Sequence, residues 1–233
     1  MKNSLSILIP VYNEEEIIVE NTKKLIDFLK KMKVRFEILI CSNGSTDSTI
    51  EKGKELEKKF KGKIRFFSLP ERGTGNAFKK NVLESKYENL ISVDMDLSVD
   101  LNHIKKFSKL LKEYDVIIGS KQVGKQERSI FRIILSSTFI LMTKLLLDIC
   151  YTDYSMAAKA FKKKIIMKHL DKITSGSSYV INMIYLAKRD GYKIKEIPVL
   201  CEDKRQSKFN LFNEVLHRFN NLILLFIQER LLK

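Results

Sequence analysis

The sequence predicts an α/β fold, a GT-A-like (Rossmann-like) mostly parallel sheet flanked by helices. Three observations predict it. Short apolar runs alternate with longer segments of helical period. Polar clusters follow the apolar runs instead of interrupting them. The 233 residues, 44% of them apolar, suffice for one sizeable core.

"LSILIPV" (5–11) reads as a buried strand, because a short apolar run ending at a proline suits a strand covered on both faces. A helical pattern follows, with Ile18, Leu25, Leu29 and Met32 on one face. "RFEILIC" (35–41) is the second strand, followed by the turn "SNGSTDS" and a charged helix. "KIRFFSL" (63–69) is the third, and "GNAFKKNVLES" opens the next helix. "NLISVDM" (89–95) is the fourth. In parallel sheets, ligands sit beyond the carboxyl ends of the strands. "YNE", "SNGSTD" and "DMD" all fall there.

The second half is greasier. Segment 129–149 is strongly apolar, with Ser129, Arg132, Ser136 and Thr143 on a narrow polar stripe. Segment 209–232 places Phe212, Val215, Leu216, Phe219, Ile223, Phe226 and Ile227 on one face. Neither holds about 20 uninterrupted apolar residues, so both suit the membrane interface better than a crossing. Ordinary core or dimer helices are the other reading. The organisation expected is a catalytic domain over 1–208, including the interface helix 129–149, and a C-terminal amphipathic helix over 209–233.

Lys and Arg number 43 against 28 Asp and Glu, a net charge of +15. Such a chain is expected to meet anions: lipid headgroups, phosphorylated small molecules or nucleic acid. No nucleic-acid module is recognisable, so nucleic acid is not expected as a partner. Cys41, Cys150 and Cys201 are scattered without metal-ligand spacing and suit a reducing compartment. No leader peptide is recognisable, because the first apolar run is short and ends at Pro10.

Asp94 and Asp96 stand at the end of the fourth strand, where the chain can bend. Two carboxylates one residue apart can converge there on a hard divalent cation, and Mg²⁺ favours one or two carboxylates plus substrate phosphates.

In order, "IPVYNEEE", "SNGSTDST", "ERGTGNA" and "VDMDLS" resemble the family 2 glycosyltransferases of the GT-A fold. "GSK" (119–121), "RIILS" (132–136), "TDYSMAAKAF" (152–161), "YLAKRDGYKIKEIPV" (185–199) and "SK" (207–208) resemble its dolichyl-phosphate mannose synthase branch. The resemblance extends to about Lys208. It implies inverting transfer of a hexose from GDP-mannose or UDP-glucose to a polyprenyl (dolichyl) phosphate, with Mg²⁺ or Mn²⁺ as cofactor. A peripheral enzyme on the cytoplasmic face of a membrane is the expectation. The alternatives are a non-prenyl acceptor, or a degenerate homologue that binds nucleotide or a partner without turnover.

By resemblance, Pro10, Tyr12, Glu14, Asn43, Arg72, Asp94 and Asp96 would form the nucleotide-sugar site, with Asp94 and Asp96 on the metal. Asn43 stands where the family usually has an aspartate reading the base, and its carbonyl oxygen would serve as a neutral acceptor. Lys121, Arg132, Ser136, Arg205 and Lys208 would meet the acceptor phosphate, the last two in a basic loop with Lys204 and Ser207. Asp96, Lys121 and Arg132 would carry the chemistry. The chain departs from the family's pattern at Thr74, often basic, and at Asn182, often glutamate.

Overall fold

The structure is a computed structural model that describes residues 4–121, 130–154, 157–202 and 211–231. The side chains of 130–134, 211–215 and 230–231 lie outside that description. Strand β1 (Ser4–Val11) is the apolar run of the N-terminus and is covered on both faces. It pairs in parallel with β2 (Arg35–Asn43), from Ser4 opposite Arg35 to Val11 opposite Ser42. Strand β3 (Ile64–Leu69) extends that side, and β4 (Asn89–Ser92) pairs with β1 on the other. Strands β5 (Val116–Ser120), β6 (Lys159–Lys162) and β7 (Ile194–Pro198) complete a seven-stranded sheet in the order β3-β2-β1-β4-β6-β5-β7. Only β6 runs against its neighbours β4 and β5.

Alternation along the strands sorts the core into two layers. Ile7, Ile9, Ile38, Ile40 and Ile91 face one layer, which takes α1 (Ile18–Lys31), α2 (Thr49–Lys59) and α4 (Asn102–Leu110). Leu8, Leu39, Leu90, Val116 and Ile118 face the other. There lie α3 (Thr74–Glu84), α5 (Ile130–Leu147), α6 (Lys163–Lys168), α7 (Tyr179–Arg189) and α8 (Leu211–Phe226, continued by a wider turn over Ile227–Leu231).

Three expectations need correction. The fourth strand ends at Ser92 and not at 95, because Ser92 is its last residue paired with both β1 and β6. The chain then turns at Asp94–Leu97, where Leu97 N donates to Asp94 O and Leu97 takes a positive φ of 50°. The stripe on α5 is not uniformly solvated: Ser136 is exposed, but Thr143 is buried and donates to Phe139 O at 2.7 Å. That back-bond satisfies the hydroxyl without any outside partner. Ser129 lies outside the described residues and Arg132 outside the described side chains.

The third correction concerns α8. Its core side is Asn221, Leu222, Leu225 and, in the wider turn, Glu229. Of the face read from sequence, Leu216 and Ile223 are exposed, while Phe219, Phe226 and Ile227 are half-buried. Apolar residues occupy both sides of this helix, so its sequence alone marks no single buried face. Phe219 packs edge-on against Phe139, joining α8 to α5. Among the described residues, no helix is long and apolar enough to cross a membrane.

Candidate active site

Strand order reverses between β2 and β4 on either side of β1, which makes a crevice at their carboxyl ends. Five of the residues singled out by sequence belong to the loops and strand ends there: Tyr12, Asn43, Arg72, Asp94 and Asp96. Pro10 precedes them within β1, half-buried. Tyr12 lies under the guanidinium of Arg72, whose central carbon stands 4.3 Å from the ring centroid. Such stacking fixes a planar cation over a planar ring. Glu14 starts the approach to α1: its amide donates to Thr49 Oγ1 at 2.8 Å, and its carbonyl accepts from Ile17 and Ile18.

Asn43 is 3% exposed, and both ends of its amide are engaged. Nδ2 donates to Val11 O at 2.7 Å, and Oδ1 accepts from Gly73 N at 3.1 Å. It therefore ties β1 and β2 to the Arg72–Gly75 loop. Gly44 continues the join at a positive φ of 73°, and a side-chain carbon there would stand 2.9 Å from Arg72 N. Glycine is needed at such a conformation and approach. Thr74 opens α3 just after Gly73.

The turn after β4 presents the acids. Asp96 is exposed, and its Oδ1 accepts from Ser98 N at 3.0 Å. Asp94 is half-buried, and its Oδ2 accepts from Ala157 N at 3.4 Å. Each carboxylate thus keeps one oxygen that bonds to no described residue. Burial, and then the charge of Asp96, push the Asp94 carboxyl up to about 6, while Lys121 and Lys159 pull the other way. Two hard oxygens crowded by like charge are a donor set that a divalent cation relieves. No cluster of three or more acid, His or Cys ligands occurs among the described residues. The pair therefore fits a cation that takes its remaining ligands from a diphosphate and water.

Sequence reading gave Lys159 and Asp153 no role, although it singled out their segment. Lys159 lies in β6, 1% exposed, with Nζ 3.3 Å from Gly119 O and 3.6 Å from Asp153 Oδ1. Burial pushes its ammonium below the usual lysine range, with Asp153 opposing. A buried cation thus stands behind the acid loop.

The remaining candidates separate. Lys121 directly follows β5 and faces Asp94 electrostatically. Ser136 is exposed on α5. Arg132 belongs to the same helix, with its side chain outside the description, and Lys204, Arg205, Ser207 and Lys208 lie outside the described residues. Asn182 is buried on α7. Its Nδ2 donates to Lys172 O at 3.2 Å, and its Oδ1 accepts from Asn221 Nδ2 at 2.9 Å.

A mostly parallel sheet of this order, with paired acids beyond its fourth strand, defines a GT-A-type sugar-transferring enzyme. The chain belongs to glycosyl transferase family 2, whose profile matches residues 6–170. It is similar to the glycosyltransferase AglD of Haloferax volcanii, 24% identical over 91% of this chain but 35% of that protein. It thus spans about a third of that relative's length. It is also similar to the dolichyl-phosphate beta-glucosyltransferases of Drosophila melanogaster (24% identical; 96% of this chain, 74% of that one) and Dictyostelium discoideum (25%; 94% and 72%). Among solved structures, it shares the fold of glucosyl-3-phosphoglycerate synthase from Mycobacterium tuberculosis, crystallised with Mn²⁺, UDP and phosphoglyceric acid. The TM-score is 0.70 at 15% identity, covering 97% of this chain and 78% of that one.

Proposed function

We propose that this chain transfers a hexose from a nucleotide-diphosphate sugar to a polyprenyl phosphate at a membrane surface, with inversion at the anomeric carbon. The observation that carries the reading is the carboxylate pair, Asp94 and Asp96, at the switch point, with Lys121 facing it. Two relatives named dolichyl-phosphate beta-glucosyltransferase support the acceptor class and a glucosyl donor. The structural neighbour crystallised with UDP supports UDP-glucose over GDP-mannose.

In this reading Asp94 and Asp96 would hold Mg²⁺ or Mn²⁺. The cation would neutralise the diphosphate as it leaves. Arg72, stacked on Tyr12, borders the nucleotide, and Asn43 holds that loop to the sheet. An acceptor phosphate oxygen attacks the anomeric carbon opposite the leaving diphosphate, which departs with the bonding electron pair. The phosphate is already anionic at neutral pH, so little general-base help is needed. Asn182 in place of a glutamate is compatible with this, because its amide is committed to Lys172 and Asn221. Lys121, Arg132, Ser136, Arg205 and Lys208 are the proposed acceptor-phosphate contacts.

Exposed Leu141 and Leu145 of α5 and Leu216, Ile223 and Leu224 of α8 support peripheral attachment to a membrane, which we take to be at its cytoplasmic face. The test is a radiolabelled donor screen, UDP-glucose against GDP-mannose, with polyprenyl phosphate and Mn²⁺ or Mg²⁺, extracting product into organic solvent. Label in the organic phase is expected from UDP-glucose. Label transferred only to a water-soluble acceptor would overturn the prenyl assignment. Nucleotide binding without transfer to either kind of acceptor would favour a non-catalytic homologue.

A further inference from the structure

Helix α8 reaches the nucleotide end of the molecule through one intermediary, the 174–177 loop that precedes α7. The loop's inner side lies on the start of α3. Ser175 O accepts from Gly75 N at 2.8 Å, and a side-chain carbon on Gly75 would stand 1.9 Å from Thr174 O. One on Gly73 would stand 3.1 Å from Ser175 O. At Gly75 only a glycine allows the two main chains to approach this closely. The loop's outer side lies under His217 of α8, where a side-chain carbon on Gly176 would stand 2.4 Å from Nε2.

The hydroxyls of Thr174 and Ser178 are buried and make no hydrogen bond. The loop's far end is fixed where Tyr179 stacks on Phe78 at 4.5 Å. Helix α8 is firmly docked. His217, Asn221 and Leu225 recur every four residues, so they share one face. On that face Asn221 donates to Asn182, and Leu225 is buried. One turn further, Glu229 is buried and pairs with Arg189 and Lys172.

We propose that His217 is a positioning residue for the Arg72–Gly75 loop, acting through the 174–177 loop. The chain of contact runs from His217 to Gly176, from Ser175 to Gly75, and from Gly73 to Asn43. The joints are a glycine-sized approach under the His217 ring, a main-chain hydrogen bond, and a hydrogen bond to the buried Asn43 side chain. That loop's part in holding the donor rests on the reading above; its positioning by His217 does not. Helix α8 would thus do more than offer an apolar surface: through His217, itself solvent-exposed, it would bear on a loop of another element.

Hydrogen–deuterium exchange on the full chain tests this without any ligand. In His217→Ala, amides of 72–77 and 173–178 are expected to exchange about tenfold faster, while the β1 and β2 strands keep their protection. Gly176→Val should give the same pattern by pushing the imidazole away. His217→Gln, which keeps a polar side chain of similar reach, should recover most of the protection. Leu224→Ala, on the outward side of α8, should change nothing at 72–77. In parallel, UDP affinity with Mn²⁺ should weaken about fivefold in His217→Ala and recover in His217→Gln. Unchanged exchange at 72–77 in both His217→Ala and Gly176→Val would overturn the proposal, as would a rise spread evenly over the whole sheet. Wild-type protein that binds no UDP would instead count against the donor reading, and the exchange result would still decide the positioning.

Discussion

Gly73 N donates to Asn43 Oδ1 at 3.1 Å, while Nδ2 of the same asparagine donates to Val11 O at 2.7 Å. One amide therefore holds three segments in register, and it needs both a donor and an acceptor to do so. A carboxylate in its place would keep the bond to Gly73 but turn a charged oxygen toward the Val11 carbonyl. Asn43→Asp is expected to destabilise the protein by about 2 kcal/mol, a fall of roughly 4–8 °C in melting temperature for a chain of this size. Thermal unfolding measures it. An unchanged midpoint would mean that the Val11 bond contributes nothing.

Asp94 gives a pH-dependent prediction. Its folded carboxyl titrates near 6, above its ordinary value of 3.8, because of burial and Asp96. A raised carboxyl favours folding only while protonated, and this contribution is lost as pH rises through 6. Asp94→Asn should therefore stabilise the metal-free protein at pH 7.5. The gain should shrink as pH falls from about 6 toward 4. Melting temperatures in a chelator across pH 4–8 check this, and a gain independent of pH would refute it.

Asp96→Ala is expected to weaken metal-dependent UDP binding by at least about tenfold, since a two-carboxylate site loses half its protein ligands. Calorimetric titration with UDP and Mn²⁺ reads it, with chelator on the wild type giving a comparable loss. Full affinity in the variant would remove the metal assignment.

Lys159→Met should cost about 3 kcal/mol, because Asp153 stays buried without its ammonium partner. The double change Lys159→Met with Asp153→Leu should recover part of this. Urea unfolding compares them. A single variant as stable as the wild type would show that the pair is dispensable.

Leu145 and Leu224 are 73% and 56% exposed. Replacing both by glutamate should release the protein from anionic vesicles by about tenfold in partitioning, while salt weakens the wild type's binding only partly. Flotation at low and high salt decides. Equal partitioning of variant and wild type would place the contact elsewhere.

The first four strands were legible because each is an apolar run, bounded by turn residues and buried on at least one face. Strand β6, "KAFK", was not: four residues with a lysine at each end carry no strand signal, and the buried Lys159 is explained only by Asp153 and Gly119 in space. Strand β7, "IKEIP", is an edge strand with partial exposure, and its alternation is too short to stand out. The acids and Tyr12 lie beyond strand ends, where loop position follows from strand direction; Arg72 was reached through the family resemblance. The double commitment of Asn43, and the burial of Asn182 against α8, depend on contacts across 30 and 39 residues that no local pattern announces.

The antiparallel strand β6 also fixes when the acid loop can exist. Strands β3-β2-β1-β4 are complete once residue 92 has been made. Asp94, however, receives its amide partner from Ala157, 63 residues later, and Val99 is bridged by Cys201 later still. During synthesis, the half-sheet emerges first with its two carboxylates on a turn that still lacks the Ala157 bond. Their final geometry waits until the chain has returned to wedge β6 between β4 and β5. A nascent chain stalled before residue 157 would carry the whole acidic motif in sequence and still lack the bond that braces it.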